Sequence, residues 1–385
     1  MIQAIKFYCS MKICIVSPGY PERKAREWCI FVAQLVEEIA KMGNECYVVA
    51  PYSITRNRAF CKFKTEARFG EGRVTIFRPN YISCSNLKLF GVSLSNMFHK
   101  LATKRALRKM PTDIDCVYCH FWNSAIEAYD YARSRNLPLF VATGESVIPE
   151  HVMNKKYKEV HDYVSGVICV SSKNRTECVE KGLTTDDKCV VIPNSINPTI
   201  FHKKNKAECR RALAIPEDAF VVVSVGGFSE RKGINRVAVA IELLPDDNIY
   251  SLFIGSGNSE PICRNIIFKG AVQHDQIVTY LNAADVFVLP TLGEGCCNAI
   301  VEAMACGLPI ISSDRPFNYD ILNADNSIMV EPENIEAIAA AIHSLYIDPC
   351  KRQRLSEGSL LISNNLKLEN RARRICEFIY EHLRR

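Results

Sequence analysis

The chain has 385 residues, 48% of them hydrophobic and 23% charged, with a formal net charge of +6. That length exceeds what a single hydrophobic core usually fills, so two domains are expected, and the composition argues against a disordered or fibrous chain. The charge balance is too mild to announce a nucleic-acid partner, although it suits anionic ligands, and no run approaches the roughly 20 uninterrupted apolar residues that span a bilayer.

Met1 to Ser10 lacks the long apolar stretch and small-residue cleavage site of a secretory leader, and Met11 is an alternative start. The 18 cysteines stand mostly singly inside apolar runs such as Lys12-Ile13-Cys14-Ile15-Val16, as small hydrophobes. Reduced thiols and a cytoplasmic location are therefore expected. Strands are expected at Lys12 to Ser17, Cys46 to Ala50, Thr75 to Phe77, Asp115 to Cys119, Leu139 to Ala142, Gly166 to Val170 and Cys189 to Ile192. After the first strand comes the loop Pro18-Gly19-Tyr20-Pro21. An amphipathic helix follows from about Trp28 to Met42, with Phe31, Leu35 and Ile39 on one face and Gly43 as its stop. Asn96 to Met110 reads as a basic amphipathic helix, with Phe98, Leu101 and Leu107 among Lys100, Lys104, Arg105, Arg108 and Lys109. Such a helix suits a peripheral contact with an anionic membrane, or equally a solvated face. Cys116-Val117-Tyr118-Cys119-His120 spells the haem-attachment string, but its place in an apolar run points to strand packing instead.

The polar, Lys-rich stretch from Asn197 to Arg211 reads as a linker. A second set of strands follows at Phe220 to Val225, Tyr250 to Ile254, Ile266 to Phe268, Val286 to Leu289, Pro309 to Ser312 and Ser327 to Val330. A last helix runs from about Arg371 to Arg385. Strands alternating with helices along the whole chain predict an α/β protein with two doubly wound parallel sheets.

In such sheets ligands bind beyond the carboxyl ends of the strands, so the turns after strands carry the search. After Val286 to Leu289 stands Thr291-Leu292-Gly293-Glu294-Gly295-Cys296-Cys297-Asn298, continuing to Glu302. Two carboxylates around a glycine-bounded turn suit sugar hydroxyls, and the N–H groups of Cys296, Cys297 and Asn298 suit an anionic oxygen. After Phe220 to Val225 stands Gly226-Gly227-Phe228-Ser229-Glu230-Arg231-Lys232-Gly233. There the glycines permit close approach, and Arg231 with Lys232 suits a diphosphate. Ile254-Gly255-Ser256-Gly257 lacks the last glycine of a dinucleotide fingerprint, which weighs against an NAD oxidoreductase. In the first half, Gly19 and His120 with Trp122 also follow strands.

The run Glu294 to Glu302 with Ala303-Met304-Ala305-Cys306-Gly307-Leu308-Pro309-Ile310-Ile311 resembles the E-x7-E motif and its continuation in the retaining glycosyltransferases of family four, which have the GT-B fold. Pro193-Asn194-Ser195-Ile196-Asn197 with Phe201, and the strand after Asp285, are also similar to that family. The resemblance implies two Rossmann-like domains facing across a cleft. Residues 1–200 would bind the acceptor and 201–365 the donor, with the final helix, about 366–385, packed back on the first domain. It implies Glu302 on the ribose hydroxyls, Glu294 on the donor sugar, and Arg231 and Lys232 on the diphosphate. His120 would lie near the transferred sugar, and Gly19, Gly226, Gly227, Gly255 and Gly295 beside the donor. Tyr20, Trp122 and Glu145 fall on the acceptor side. Against the family pattern, Gly227 stands where a phosphate-binding Arg is usual, Ser195 and Asn197 replace Gly and Asp, and Thr143-Gly144-Glu145 replaces a His-Gly segment.

The expected reaction is transfer of a sugar from a nucleotide diphosphate, UDP- or GDP-linked, to a glycan or lipid-linked acceptor with retention of configuration, in cell-envelope polysaccharide, lipopolysaccharide or exopolysaccharide synthesis. Cations at the leaving diphosphate would lower the barrier, and no strong D-x-D-type metal cluster appears, so no metal and no cofactor are expected. The alternatives are a sugar-nucleotide epimerase of the same fold and a non-catalytic nucleotide-sugar-binding protein.

Overall fold

A computed structural model describes residues 10–21, 29–84, 87–89 and 92–384. Trp28 and most of the stretch from Met1 to Ser10 lie outside the described residues. The chain divides into two compact units, one comprising residues 1–170, 174–192 and 371–385, the other 171–173 and 193–370.

The apolar runs of the first unit form β1 (Lys12–Val16), β2 (Glu45–Val49), β3 (Lys64–Phe69), β4 (Gly72–Phe77), β5 (Cys116–His120), β6 (Leu139–Thr143), β7 (Gly166–Cys169) and β8 (Cys189–Val191). They make one sheet in the order β8-β7-β6-β5-β1-β2-β4-β3. Only β3 runs antiparallel, paired to β4 through the Gly70-Glu71 turn. It was not expected from the sequence, because Lys64, Glu66 and Arg68 alternate with short or half-buried side chains and nothing along it is buried. Charged edge strands of this kind resist pairing with other chains. The central strands, by contrast, are apolar on both faces because helices cover both sides. One covering helix, Ile30–Lys41, buries Val32, Leu35, Val36 and Ile39. The core holds Val117, Cys119, Trp122, Leu139, Val141 and Val167. Cys116 and Cys119 are fully buried, and all the cysteines among the described residues are free. The haem-string cysteines therefore pack within the sheet as small hydrophobes.

The last helix, Leu368–Leu383, enters the first unit at Arg371, whose guanidinium donates to the Ile192 carbonyl, while Arg374 donates to the Val191 carbonyl at 2.9 Å. Its Phe378 lies edge-on to Phe140, 6.1 Å between centroids, over Gly166. A Cβ at Gly166 would come within 2.6 Å of that ring.

The second unit carries β9 (Phe220–Val225), β10 (Ile249–Ile254), β11 (Ile266–Gly270), β12 (Val286–Leu289), β13 (Ile310–Ser313) and β14 (Ser327–Val330), all parallel, in the order β11-β10-β9-β12-β13-β14. The division between units falls at Pro193, earlier than the expected residue 201. The reason is local: Asn194 donates to the Cys296 carbonyl at 2.9 Å and to Asn298 at 2.8 Å, and Ile196 bridges to Lys367. The expected linker is not a loop throughout. Asn205 caps a helix, Lys206–Ala212, and Arg210 on that helix is buried and paired with Asp285 at 2.8 Å.

Candidate active site

In the second sheet the strand order reverses between β9 and β12, which lie side by side through Val222 and Val286. That reversal opens a crevice at the carboxyl ends of the two strands. The turns leaving them are 226–233 and 290–297, the two turns that the sequence marks. They are tied together, because Leu292 N–H donates to the Arg231 carbonyl at 2.8 Å and Arg236 donates to the Pro290 carbonyl at 2.9 Å. Arg236 is buried and also holds the Pro332 carbonyl at 2.8 Å. Gly233 has φ +71°, and a Cβ there would stand 2.5 Å from both Arg236 and the Pro290 carbonyl, so only glycine fits. Gly255, on the turn after β10, passes so close that a Cβ would lie 1.9 Å from the Gly226 carbonyl oxygen. Gly227 lines an open depression of about 480 Å³ together with Ser229, Ser256 and Ser259.

Glu294 gathers the charges of this crevice. Its Oε1 accepts from Arg231 at 2.8 Å, from Lys232 at 2.7 Å and from the buried Thr291 hydroxyl at 3.1 Å. Arg231 is about half exposed, with 49% of its side chain accessible, whereas Lys232 has 16% and Glu294 has 13%. Exposed ion pairs hold only about 0–1 kcal/mol, so Arg231 can exchange its carboxylate for an arriving anion at little cost. Burial opposes the charge on Lys232, but Cys297 and Glu294 together outweigh it and raise its pKa. Lys232 is therefore a fixed ammonium at neutral pH. Two cations on one carboxylate leave a net positive charge beside the glycine turn.

Glu302 lies apart from that cluster. It is buried on the helix Asn298–Ala305, and its Oε1 meets His274 Nε2 at 3.0 Å. Phe201 packs against the same imidazole, 5.1 Å between centroids. Cys297 caps that helix without a side-chain hydrogen bond, Cys296 and Gly295 are buried before it, and Asn298 is exposed. Sequence reasoning missed His274, although it follows β11 by four residues and the rule of strand ends would have included it. Arg236 carries no sequence signal, since the carbonyls it ties, Pro290 and Pro332, are distant in the chain.

In the first sheet the order reverses between β1 and β5; the turn after β1 carries Gly19, and β5 ends at His120, passing through Phe121 into a helix that begins at Trp122. Gly19 is buried, its carbonyl accepting from the Ser17 hydroxyl at 2.7 Å. His120 is buried among the rings of Phe31, Tyr118 and Phe121, and its Nδ1 has no hydrogen-bond partner among the described residues. Burial, helped by the Arg371 charge, lowers its pKa to about 3. The imidazole is neutral. Phe121 follows at φ +68°, a strained conformation for a bulky residue, held by its N–H on the Ala142 carbonyl at 2.8 Å.

Two acceptor-side expectations are corrected here. Trp122 is fully buried in the core, edge-on to His161, so it is not placed to touch a ligand. Glu145 is spent on the backbone: it accepts from the Trp122 N–H at 3.2 Å, the Gly144 N–H at 2.9 Å and the Thr143 hydroxyl at 2.6 Å. It holds the turn that carries Phe121. Tyr20 does line an open groove, beneath Arg78.

Two family models match the chain, Glycosyltransferase Family 4 over residues 30–200 and Glycosyl transferases group 1 over residues 205–360. The chain is 26% identical over 355 residues to the putative teichuronic acid biosynthesis glycosyltransferase TuaC of Bacillus subtilis, covering 86% of this chain and 88% of that protein. It is 25% identical over 285 residues, 67% of this chain and 72% of the relative, to the UDP-Gal:alpha-D-GlcNAc-diphosphoundecaprenol alpha-1,3-galactosyltransferase of Escherichia coli. Sucrose-phosphate synthase from Thermosynechococcus elongatus shares the fold with a TM-score of 0.79 at 19% identity, over 96% of this chain and 98% of that one. The fold is GT-B, and the chain belongs to the group 1, family four glycosyltransferases.

Proposed function

We propose that this glycosyltransferase moves a sugar from a nucleoside diphosphate, UDP- or GDP-linked, to a glycan or lipid-linked acceptor with retention of configuration. The observation that carries the reading is the pairing of Arg231 and Lys232 on Glu294 at the switch point of the second sheet. Breaking the bond between sugar and phosphate builds negative charge on the departing diphosphate. Cations already aimed at that place lower the barrier without reorganising. In this reading the diphosphate takes Arg231 and Lys232 from Glu294, and the freed carboxylate turns to hydroxyls of the donor sugar. Glu302, held by His274, takes the ribose hydroxyls. The diphosphate oxygen accepts the acceptor's proton, so no separate base and no metal is assigned.

The first unit binds the acceptor in this reading, with the neutral, apolar surroundings of His120 suited to a sugar face rather than to a charge. The relatives' names point to envelope polysaccharides and, for the Escherichia coli protein, a UDP-sugar and an undecaprenyl-linked acceptor. No helix among the described residues is long and apolar enough to cross a membrane. The helix Leu94–Leu107 supports a peripheral contact: Met97 and Leu101 are exposed, at 40% and 56%, in line with Arg105 and Arg108 at helical spacing. Its Leu107 is buried in the core, so the expected apolar stripe is shorter than the sequence suggests.

The test is a panel of UDP-, GDP- and ADP-sugars with release of the nucleoside diphosphate as readout, with and without envelope glycan acceptors. One donor is expected to be turned over, faster with acceptor. Release of no diphosphate from any donor would overturn the reading.

A further inference from the structure

A groove of about 430 Å³ opens beyond the carboxyl ends of β1, β2 and β4 in the first unit, lined by Gly19, Tyr20, Tyr52, Arg56, Arg78 and Tyr81 among others. That volume falls within the roughly 300–1,000 Å³ of small-molecule sites. Among the described residues no carboxylate lines it. Two acids act on its tyrosines from outside the lining, Glu37 on Tyr20 and Glu127 on Tyr81, and Glu127 is engaged by His99 at 2.9 Å and by the Thr103 hydroxyl at 2.7 Å.

Arg78 is the unusual group. It is 7% exposed, yet the partners its side chain has among the described residues are uncharged: the Thr65 hydroxyl at 2.8 Å, the Pro21 carbonyl at 2.9 Å and the face of the Tyr20 ring at 5.6 Å. Its Nε has no partner among the described residues. Buried guanidinium groups ordinarily sit against an anion, because removing the charge from water is costly without one. Here the described residues supply the cation and no carboxylate paired with it. Arg56, on the exposed wall of the same groove, adds a second positive group. The Tyr20 and Tyr81 phenols are pushed above their ordinary range, chiefly by burial, and so remain hydrogen-bond donors at any physiological pH.

We infer that this groove is an oxyanion subsite, and that the acceptor is an anionic glycan whose carboxylate or phosphate docks against Arg78 and Arg56. The inference rests on the reading of the first unit as the acceptor unit. It narrows the acceptor class from any glycan to one bearing a uronate or a phosphate ester.

The full chain, with UDP present, is titrated calorimetrically with glucuronate, glucose 6-phosphate and glucose. At least one of the two anions is expected to bind about 10-fold or more tighter than glucose, as a charge-assisted hydrogen bond requires. Glucuronate preference assigns a uronate, glucose 6-phosphate preference a phosphate ester. Arg56→Gln and Arg78→Gln are expected to erase most of the difference, and Arg78→Lys, which keeps the charge, to erase less. Arg56 is exposed, so if Arg78→Gln fails to fold in a thermal melt, Arg56→Gln decides alone. Equal binding of all three sugars, or anion affinity unchanged in Arg56→Gln, would overturn the inference. UDP binding is titrated separately on the unsubstituted chain, so failure of the donor reading and failure of the anion subsite are told apart.

Discussion

The two units place their switch points by the same rule and furnish them with opposite chemistry. At the second, Arg231 and Lys232 share the Glu294 carboxylate in a half-open crevice. At the first, a neutral His120 is enclosed by aromatic rings, beside a strained Phe121. The doubly wound topology decides where a ligand sits, while a few residues on two turns decide whether the place receives a charge or an uncharged ring. Under the proposed function the contrast suits glycosyl transfer, in which a diphosphate departs and a sugar face is held.

The largest expected effect strikes the charged side. Lys232→Ala should lower donor turnover by about 10²–10³, the loss typical of removing one preorganised group that meets developing charge. Diphosphate release measures it, and a loss below about 3-fold would remove Lys232 from the mechanism. Glu302→Ala should weaken nucleotide binding by about 10- to 100-fold, since a carboxylate pair of hydroxyl bonds is lost. Unchanged binding of the nucleoside diphosphate would reassign Glu302 to a structural partner of His274. Gly233→Ala should destabilise the second unit by about 1–3 kcal/mol, from the positive φ and the clash with the Pro290 carbonyl, seen as a lowered thermal midpoint.

The neutral side is sharpened by pH. The folded pKa of His120 lies near 3, below the ordinary 6.5, so the unfolded chain binds the proton more readily between those values. Stability should therefore fall as pH drops from about 6.5 toward 3. A His120→Asn variant should show a shallower acid-side fall in thermal midpoint, and an identical slope would mean that His120 is not the buried neutral group described. The smallest effect is expected at Trp122. Its replacement by Phe should cost stability alone and leave the acceptor Michaelis constant unchanged, because the ring lies wholly in the core.

Much of the fold was legible because buried parallel strands are continuous apolar runs. Phe220–Val225, Val286–Leu289 and Ser327–Val330 occur where the sequence places them. β3 was not legible, since an exposed edge has no apolar pattern to read. Nor was the helix Lys206–Ala212, whose charged sequence resembles a linker until the pairing of Arg210 with Asp285 is known. Glu294, Arg231 and Lys232 stood out in the sequence because each follows a readable strand, and the structure brings them together because those two strands are neighbours in the sheet. The resemblance put Trp122 and Glu145 on the acceptor side, whereas Trp122 packs wholly into the core and both Glu145 oxygens are engaged by its own turn and by the Trp122 N–H. His274 and Arg78 were missed because each acquires its meaning from an environment, a buried carboxylate in one case and uncharged partners among the described residues in the other.

The central claim is that the crevice of the second unit grips a diphosphate through Arg231 and Lys232. The most direct measurement compares calorimetric affinities for the nucleoside diphosphate and for its nucleoside, on the unsubstituted chain and on Lys232→Ala. The account predicts that the diphosphate binds about 10-fold or more tighter than the nucleoside, and that Lys232→Ala removes most of that difference while leaving nucleoside affinity alone. Equal affinity for the two ligands in the unsubstituted chain, or a difference that survives the substitution, would contradict it.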